Sequence, residues 1–243
     1  MNRRLRIQHQ CSYQYPHAQQ YSAHALRLTP RRDSFQRTLF WTLQTRGRRV
    51  EQLDAHGNIT HLLTLEEAHR QVDVLVTGVV ETTWSEQALK HEGPLSPLTY
   101  LAATPLTRAD AELTGLAETH RPRAGATWEW ITYLGRELRE RRPDLHRAVD
   151  LAHAYLALCR AAGVPARFVS GYCQVADDRA DRMAWVDVWS SPQDGWIALD
   201  VDRLEPAGSR HCRLAVGRDY RDASPMRSHL PGESTETLRI RDQ

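Results

Sequence analysis

With 243 residues, 41% of them apolar and 26% charged, the chain can bury a sizeable core and is too apolar for disorder to be the default. Its 32 basic and 30 acidic residues leave a formal net charge of +2, which removes any bulk electrostatic argument for nucleic acid or an anionic membrane. No apolar run approaches the roughly 20 residues of a membrane-spanning helix, and no apolar stretch follows the basic start at Arg3, Arg4 and Arg6, so a cytoplasmic protein is expected.

The first third predicts strands. Arg4–Gln8, Ala23–Leu28, Leu39–Leu43, Ile59–Leu65 and Val72–Val80 are short runs with apolar residues at roughly alternate positions. Thr29-Pro30-Arg31 and Asp54-Ala55-His56-Gly57-Asn58 separate some of them as turns. Several short strands at this spacing predict a small sandwich or barrel over residues 1–84. Residues 85–106 read as a connector, broken by Gly93, Pro94, Pro97 and Pro105.

Helical texture follows. Thr107 is the expected cap of a first helix, with Asp110 in its first turn, and Thr127 caps a second that Pro143 stops. Asp144 is the expected cap of a third, in which Ala148, Leu151, Ala152, Tyr155, Leu156 and Cys159 recur at helical spacing before Gly163 and Pro165 end it. Three strands come next, at Arg167–Val175, Ala184–Ser190 and Trp196–Asp200. The last two are joined by the turn Pro192-Gln193-Asp194-Gly195. A late strand at Leu238–Ile240 returns to one of the sheets. The fold class is α+β: helices followed by antiparallel sheet, behind a β domain. The four cysteines, Cys11, Cys159, Cys173 and Cys212, are widely spread with no Cys-x-x-Cys pair, so reduced thiols are expected rather than bridges or a zinc site.

The block from Asp150-Leu-Ala-His153 through Cys159-Arg160, Gly163-Val-Pro165-Ala-Arg167 and Ser170-Gly171-Tyr172 closely resembles the core of bacterial transglutaminase-like proteins. There a helix opens with Gly-Val-Cys-Gln-Asp-Phe-Ala-His and runs on to Gly-Ile-Pro-Ala-Arg and Ser-Gly-Tyr. The family's later His-Ala-Trp-Val-Glu-Val and Gly-Trp strands match Met183-Ala-Trp185-Val-Asp187-Val and Gly195-Trp196-Ile-Ala-Leu-Asp200. Leu214–Tyr220, the Asp54–Asn58 turn and the Tyr100–Thr107 connector also resemble family segments. The resemblance implies a papain-like core over residues 107–220, a β-sandwich-like domain over 1–84, and a short tail at 221–243.

In that family a thiolate at a helix N-terminus attacks a carbonyl, a histidine holds the thiolate and carries the proton, and an aspartate orients the histidine. The resemblance places the cysteine at Ala148, the histidine at Met183 and the aspartate at Asp200. The glycine expected two residues before the cysteine position is His146. A methyl group is no nucleophile and a thioether carries no proton at neutral pH, and losing members of a catalytic unit removes roughly 10⁴–10⁶ in rate. The expectation is a pseudoenzyme with no intact catalytic residue, no cofactor and no metal.

Asp150, His153 and Trp185 remain as candidate binding residues. Each has a plainer role: Asp150 can pair with His146 four residues away, His153 can pack as a hydrogen-bonded helix residue, and Trp185 can pack across strands. Asp200 is read first as bonding backbone amides at a strand end or pairing with an arginine, and otherwise as a relic still aimed at the cleft. A binding or scaffolding role is expected, for a peptide ligand or alongside an active relative. The resemblance also points to ATP-grasp-type and helical companion proteins in a peptide-modifying system. The alternative is a cysteine-dependent amide hydrolase or acyl transferase with a relocated nucleophile, Cys173 being the first suspect although no partner histidine stands out in the sequence.

Overall fold

The alternation of the first third runs further than its apolar residues suggest. β1 spans Asn2–Gln19 with Leu5, Ile7, His9 and Cys11 turned inward and Arg6, Gln8 and Gln10 exposed. The buried His9 hides the length of this strand from a hydropathy reading. The computed structural model describes residues 2–83, 89–90, 93–176 and 179–242, with backbone alone at 176, 179–183 and 242.

Five further strands follow β1: β2 (Ser22–Leu26), β3 (Gln36–Thr45), β4 (Arg48–Leu53), β5 (Ile59–Leu65) and β6 (His69–Thr83). β4 was not expected; all six of its residues are exposed, so it has no alternating pattern to read. After the short β7 (Leu89–Lys90) and a 3-10 turn at Pro97–Leu101 come α1 (Ala111–Thr119), α2 (Trp128–Arg141) and α3 (Ala148–Ala161). The remaining elements are β8 (Ala166–Ala176), β9 (Arg179–Ser190), β10 (Gly195–Asp200), β11 (Glu205–Pro206), β12 (His211–Gly217), α4 (Tyr220–Ala223), β13 (Met226–Ser228) and β14 (Glu233–Asp242).

Two four-stranded antiparallel sheets, β14-β1-β6-β3 and β13-β2-β5-β4, make the first layer pair. Leu5, Ile7, Val74 and Val76 of one meet Leu26, Leu63 and Leu65 of the other, as a sandwich. Much of the expected tail is built into the sandwich: β13 lies on β2, and β14, which contains the expected late strand, runs along β1 from Leu5↔Asp242 to Gln14↔Glu233.

Two caps differ from expectation. Asp110, not Thr107, caps α1 by accepting from the Leu113 amide at 2.9 Å. The Thr107 hydroxyl instead accepts from the Thr104 amide and the buried Arg160 guanidinium. Asp144 does not start α3; it pairs with Arg142 at 3.5 Å, and the helix begins three residues later than that cap implied, behind Arg147. Thr127 caps α2 as expected, through the Trp130 amide at 3.3 Å. Gly163 takes φ +78, the left-handed conformation in which a glycine closes a helix.

The helices cover one face of the third sheet, ordered β11-β10-β9-β8-β12 with β7 on β10. Ile131, Leu134, Leu151, Leu156 and Leu158 pack there on Phe168, Ala184, Val186, Val188 and Leu199. Alternate residues of the same strands point the other way, where Arg213 meets Asp33 of the segment between β2 and β3. There Asn58 joins the two regions through its side chain, accepting from the Val216 amide and donating to the Val216 carbonyl, both at 2.8 Å. Among the described residues no helix is long and apolar enough to cross a membrane.

Candidate functional site

The start of α3 is where the resemblance places sulfur. Ala148 is the first helical residue, half-buried, behind an extended Arg147 (φ −91, ψ 132) that offers no side-chain cap. The Leu151 amide donates to the Arg147 carbonyl at 3.0 Å and closes the first turn. The positive end of the helix dipole thus lies beside residue 148, the setting that lowers the pKa of a thiol, and the side chain there is a methyl. Met183 sits in β9 opposite Gly171, but its side chain lies outside the described residues.

Asp200 ends β10 and is fully buried. Its Oδ1 accepts from the Asp202 and Arg203 amides at 3.1 and 3.2 Å, and its Oδ2 from the Arg203 guanidinium at 2.7 Å. Both plainer roles expected of it are therefore present. An imidazole also stands beside it: His211 Nε2 lies 3.5 Å from Asp200 Oδ2. Burial opposes the charge of this carboxyl, yet His211 and Arg203 hold it below its ordinary value.

His211 belongs to β12 and faces Cys173 of β8 directly across the ladder. The Trp185 ring meets the imidazole edge-on at 5.1 Å. Burial opposes protonation of His211, but the Asp200 carboxylate and the Cys173 thiol outweigh it and push the ring up to about 9. Neither ring nitrogen makes a well-aligned hydrogen bond, and the Cys173 thiol donates to the Gln174 carbonyl at 3.7 Å. Cys173, His211 and Asp200 thus form a buried thiol–imidazole–carboxylate group. No partner for Cys173 is legible in the sequence, because His211 lies on a strand that only the register brings alongside.

The same face carries a second charged group. Asp187, fully buried, accepts from Arg167 Nε at 2.8 Å and from Arg213 at 3.0 Å. Arg213 also pairs with Asp33 of the β2–β3 loop at 3.0 Å, and Asp33 with Arg31 at 3.3 Å. The Arg167 guanidinium stacks 4.4 Å from the Trp196 ring centre. Burial works against the charge of Asp187, but the two arginines keep its carboxyl below the ordinary value. This network ties the core sheet to the sandwich.

The three candidate binding residues do not share a site. Asp150 lies 3.9 Å from Arg147, its partner in place of the expected His146. His153 Nε2 accepts from the Tyr220 amide at 3.1 Å, its ring packs 5.3 Å from Phe168, and burial lowers its pKa. Trp185 is fully buried on the opposite face of the sheet from α3, against Val169, Cys173 and Val216. Of the other thiols, Cys159 is pushed up to about 12 by burial, and burial also raises Cys212 strongly. Both are inert at neutral pH.

Comparison with known proteins agrees with this architecture. Residues 5–81 match the bacterial transglutaminase-like N-terminal region, and residues 144–201 match the transglutaminase-like superfamily core. The uncharacterized protein ML0607 of Mycobacterium leprae is 26% identical, over 98% of this chain and 96% of the relative. The uncharacterized protein Rv2569c of Mycobacterium tuberculosis is likewise 26% identical, over 97% of this chain and 90% of the relative. The crystal structure of a proposed cysteine protease from Cytophaga hutchinsonii superposes on all of this chain and 91% of its own with a TM-score of 0.78, at 19% identity. With the sandwich, the helices and the antiparallel sheet in the order those matches require, this chain belongs to the bacterial transglutaminase-like proteins that carry a β domain ahead of the core.

Proposed function

We propose that this protein is a non-catalytic member of its family, a binding or scaffolding partner in a peptide-modifying system. The observation that carries this reading is Ala148 as the first residue of α3, the position at which the resemblance puts the family's nucleophile. A methyl group there forms no acyl intermediate. The helix start has no side-chain cap, so its first amides are available to a peptide carbonyl or carboxylate. The occupant is a peptide, or an active relative presenting one. ATP-grasp-type or helical companion proteins are the expected further members, and no cofactor is needed.

A second reading rests on the group at Cys173, His211 and Asp200. It makes the protein an amide hydrolase or acyl transferase in which Cys173 attacks, His211 carries the proton and Asp200 orients the ring. Against it, Cys173 is only 2% exposed and has no helix start behind it, and His211 shares the Asp200 carboxylate with Arg203.

One experiment separates them. The protein is incubated with a thiol-reactive, amide-mimicking probe, and in parallel with peptide amides. The first reading predicts no turnover and no selective labelling of the native protein. It also predicts rapid labelling of Ala148→Cys at neutral pH, because a helix start lowers the thiol pKa. Slow labelling of that variant would show that residue 148 is not the family's cysteine position. Selective labelling of the native protein at one thiol, abolished by Cys173→Ser, would establish the second reading.

A further inference from the structure

A second convergence of reactive side chains lies far from α3, where β1 meets β14. His9 and Cys11 are two residues apart on the inward face of β1, and Glu236 stands opposite Cys11 on β14. His9 Nε2 is 3.0 Å from Cys11 Sγ and 3.4 Å from Glu236 Oε2. The three ligand atoms all lie within 4.8 Å of one another. His9 is fully buried and Cys11 nearly so, while the Glu236 side chain keeps 16% of its exposure.

We propose that His9, Cys11 and Glu236 form a zinc site with its fourth position open. The donor chemistry selects the ion. A thiolate and an imidazole suit zinc and disfavour magnesium or calcium, and a thiolate with a carboxylate supplies two negative charges for a divalent cation. The spacing is suitable. Tetrahedral bonds of about 2.3 Å to sulfur and about 2.0–2.1 Å to nitrogen and oxygen put ligand atoms about 3.3–3.6 Å apart. The His9–Glu236 separation already lies in that range, and the His9–Cys11 separation needs only a slight opening.

The outer shell is also in place. His9 Nδ1 lies 2.8 Å from the Tyr172 hydroxyl on β8. With Nδ1–H donating to that oxygen, the lone pair of Nε2 points at the thiol and the carboxylate, as a metal ligand requires. On binding, the Cys11 thiol gives its proton to solvent and its sulfur bonds the metal. A water or small anionic ligand completes the shell from the Glu236 side. No spaced motif reveals this site, because its third ligand and its outer-shell partner come from strands far along the chain.

The test uses the full-length protein, stripped by chelator and titrated with Co²⁺ and then Zn²⁺. The expected result is one equivalent of Co²⁺ with an intense thiolate-to-cobalt charge-transfer band, displaced by Zn²⁺. Cys11→Ser abolishes the band while leaving the circular dichroism unchanged. If that variant does not fold, Glu236→Gln serves instead and weakens zinc at least tenfold. Tyr172→Phe keeps the band with zinc affinity about 10–100-fold weaker. Folded native protein that develops no such band, or a band that survives Cys11→Ser, overturns the proposal, as does unchanged zinc affinity in Glu236→Gln.

Discussion

The two faces of the core sheet are built from alternate residues of the same strands, yet they solve opposite problems. On the helix side, Ala184, Val186, Val188 and Leu199 meet the leucines of α2 and α3 through apolar contact. On the other side, Asp187, Arg167, Arg213, Asp200 and His211 are as deeply buried, each answered by a partner from a distant segment. The first face is held by burial and packing, which tolerate rearrangement. The second depends on specific pairing, because a buried charge without its partner is costly.

Three measurements test that contrast, the largest effect first. Asp187→Ala leaves Arg167 and Arg213 buried without their carboxylate and is expected to lower unfolding stability by about 3–5 kcal/mol in denaturant melts. A loss no larger than that of a surface substitution would mean the charged face contributes little. Leu156→Ala on the helix face opens a cavity and should lower stability by about 2–5 kcal/mol, with the same value at pH 6 and pH 9. Dependence on pH there would join the two faces energetically.

The smallest effect concerns His211. Its folded pKa of about 9 stands above the ordinary value of 6.5, so its contribution is fully present below pH 6.5 and is lost as the pH rises through 9. Native protein should therefore lose on the order of 1–3 kcal/mol more than His211→Gln across that interval. Equal pH profiles would show the ring to be neutral in the fold. His24, in the sandwich, behaves in the opposite sense. Burial lowers it to about 4, so its contribution is present above pH 6.5 and falls away on acidification.

The same contrast explains what could be read from the sequence. β5 appears where alternation placed it, and α2 starts at its Thr127 cap, since period and caps are local signals. The family core was legible for a similar reason, through runs of adjacent residues. β12 was not read as a strand. All seven of its residues are buried, but His211 and Arg213 make it look polar, and the carboxylates that neutralise them belong to other strands and loops. The partner of Cys173 was hidden in the same strand. Thr107 and Asp144 were mistaken for caps because each has a cap's chemistry, and tertiary partners claim them both.

The pairing of β14 with β1 also bears on how the chain is made. During synthesis the strands from β1 to β6 emerge first, but their first strand keeps a bare edge until residues 233–242 arrive to cover it. The helices and core sheet, whose contacts lie closer together in sequence, can form while that edge is still open. A ribosome stalled after β12 would therefore hold a sticky, half-closed sandwich beside a largely finished core, the species a chaperone would have to shield.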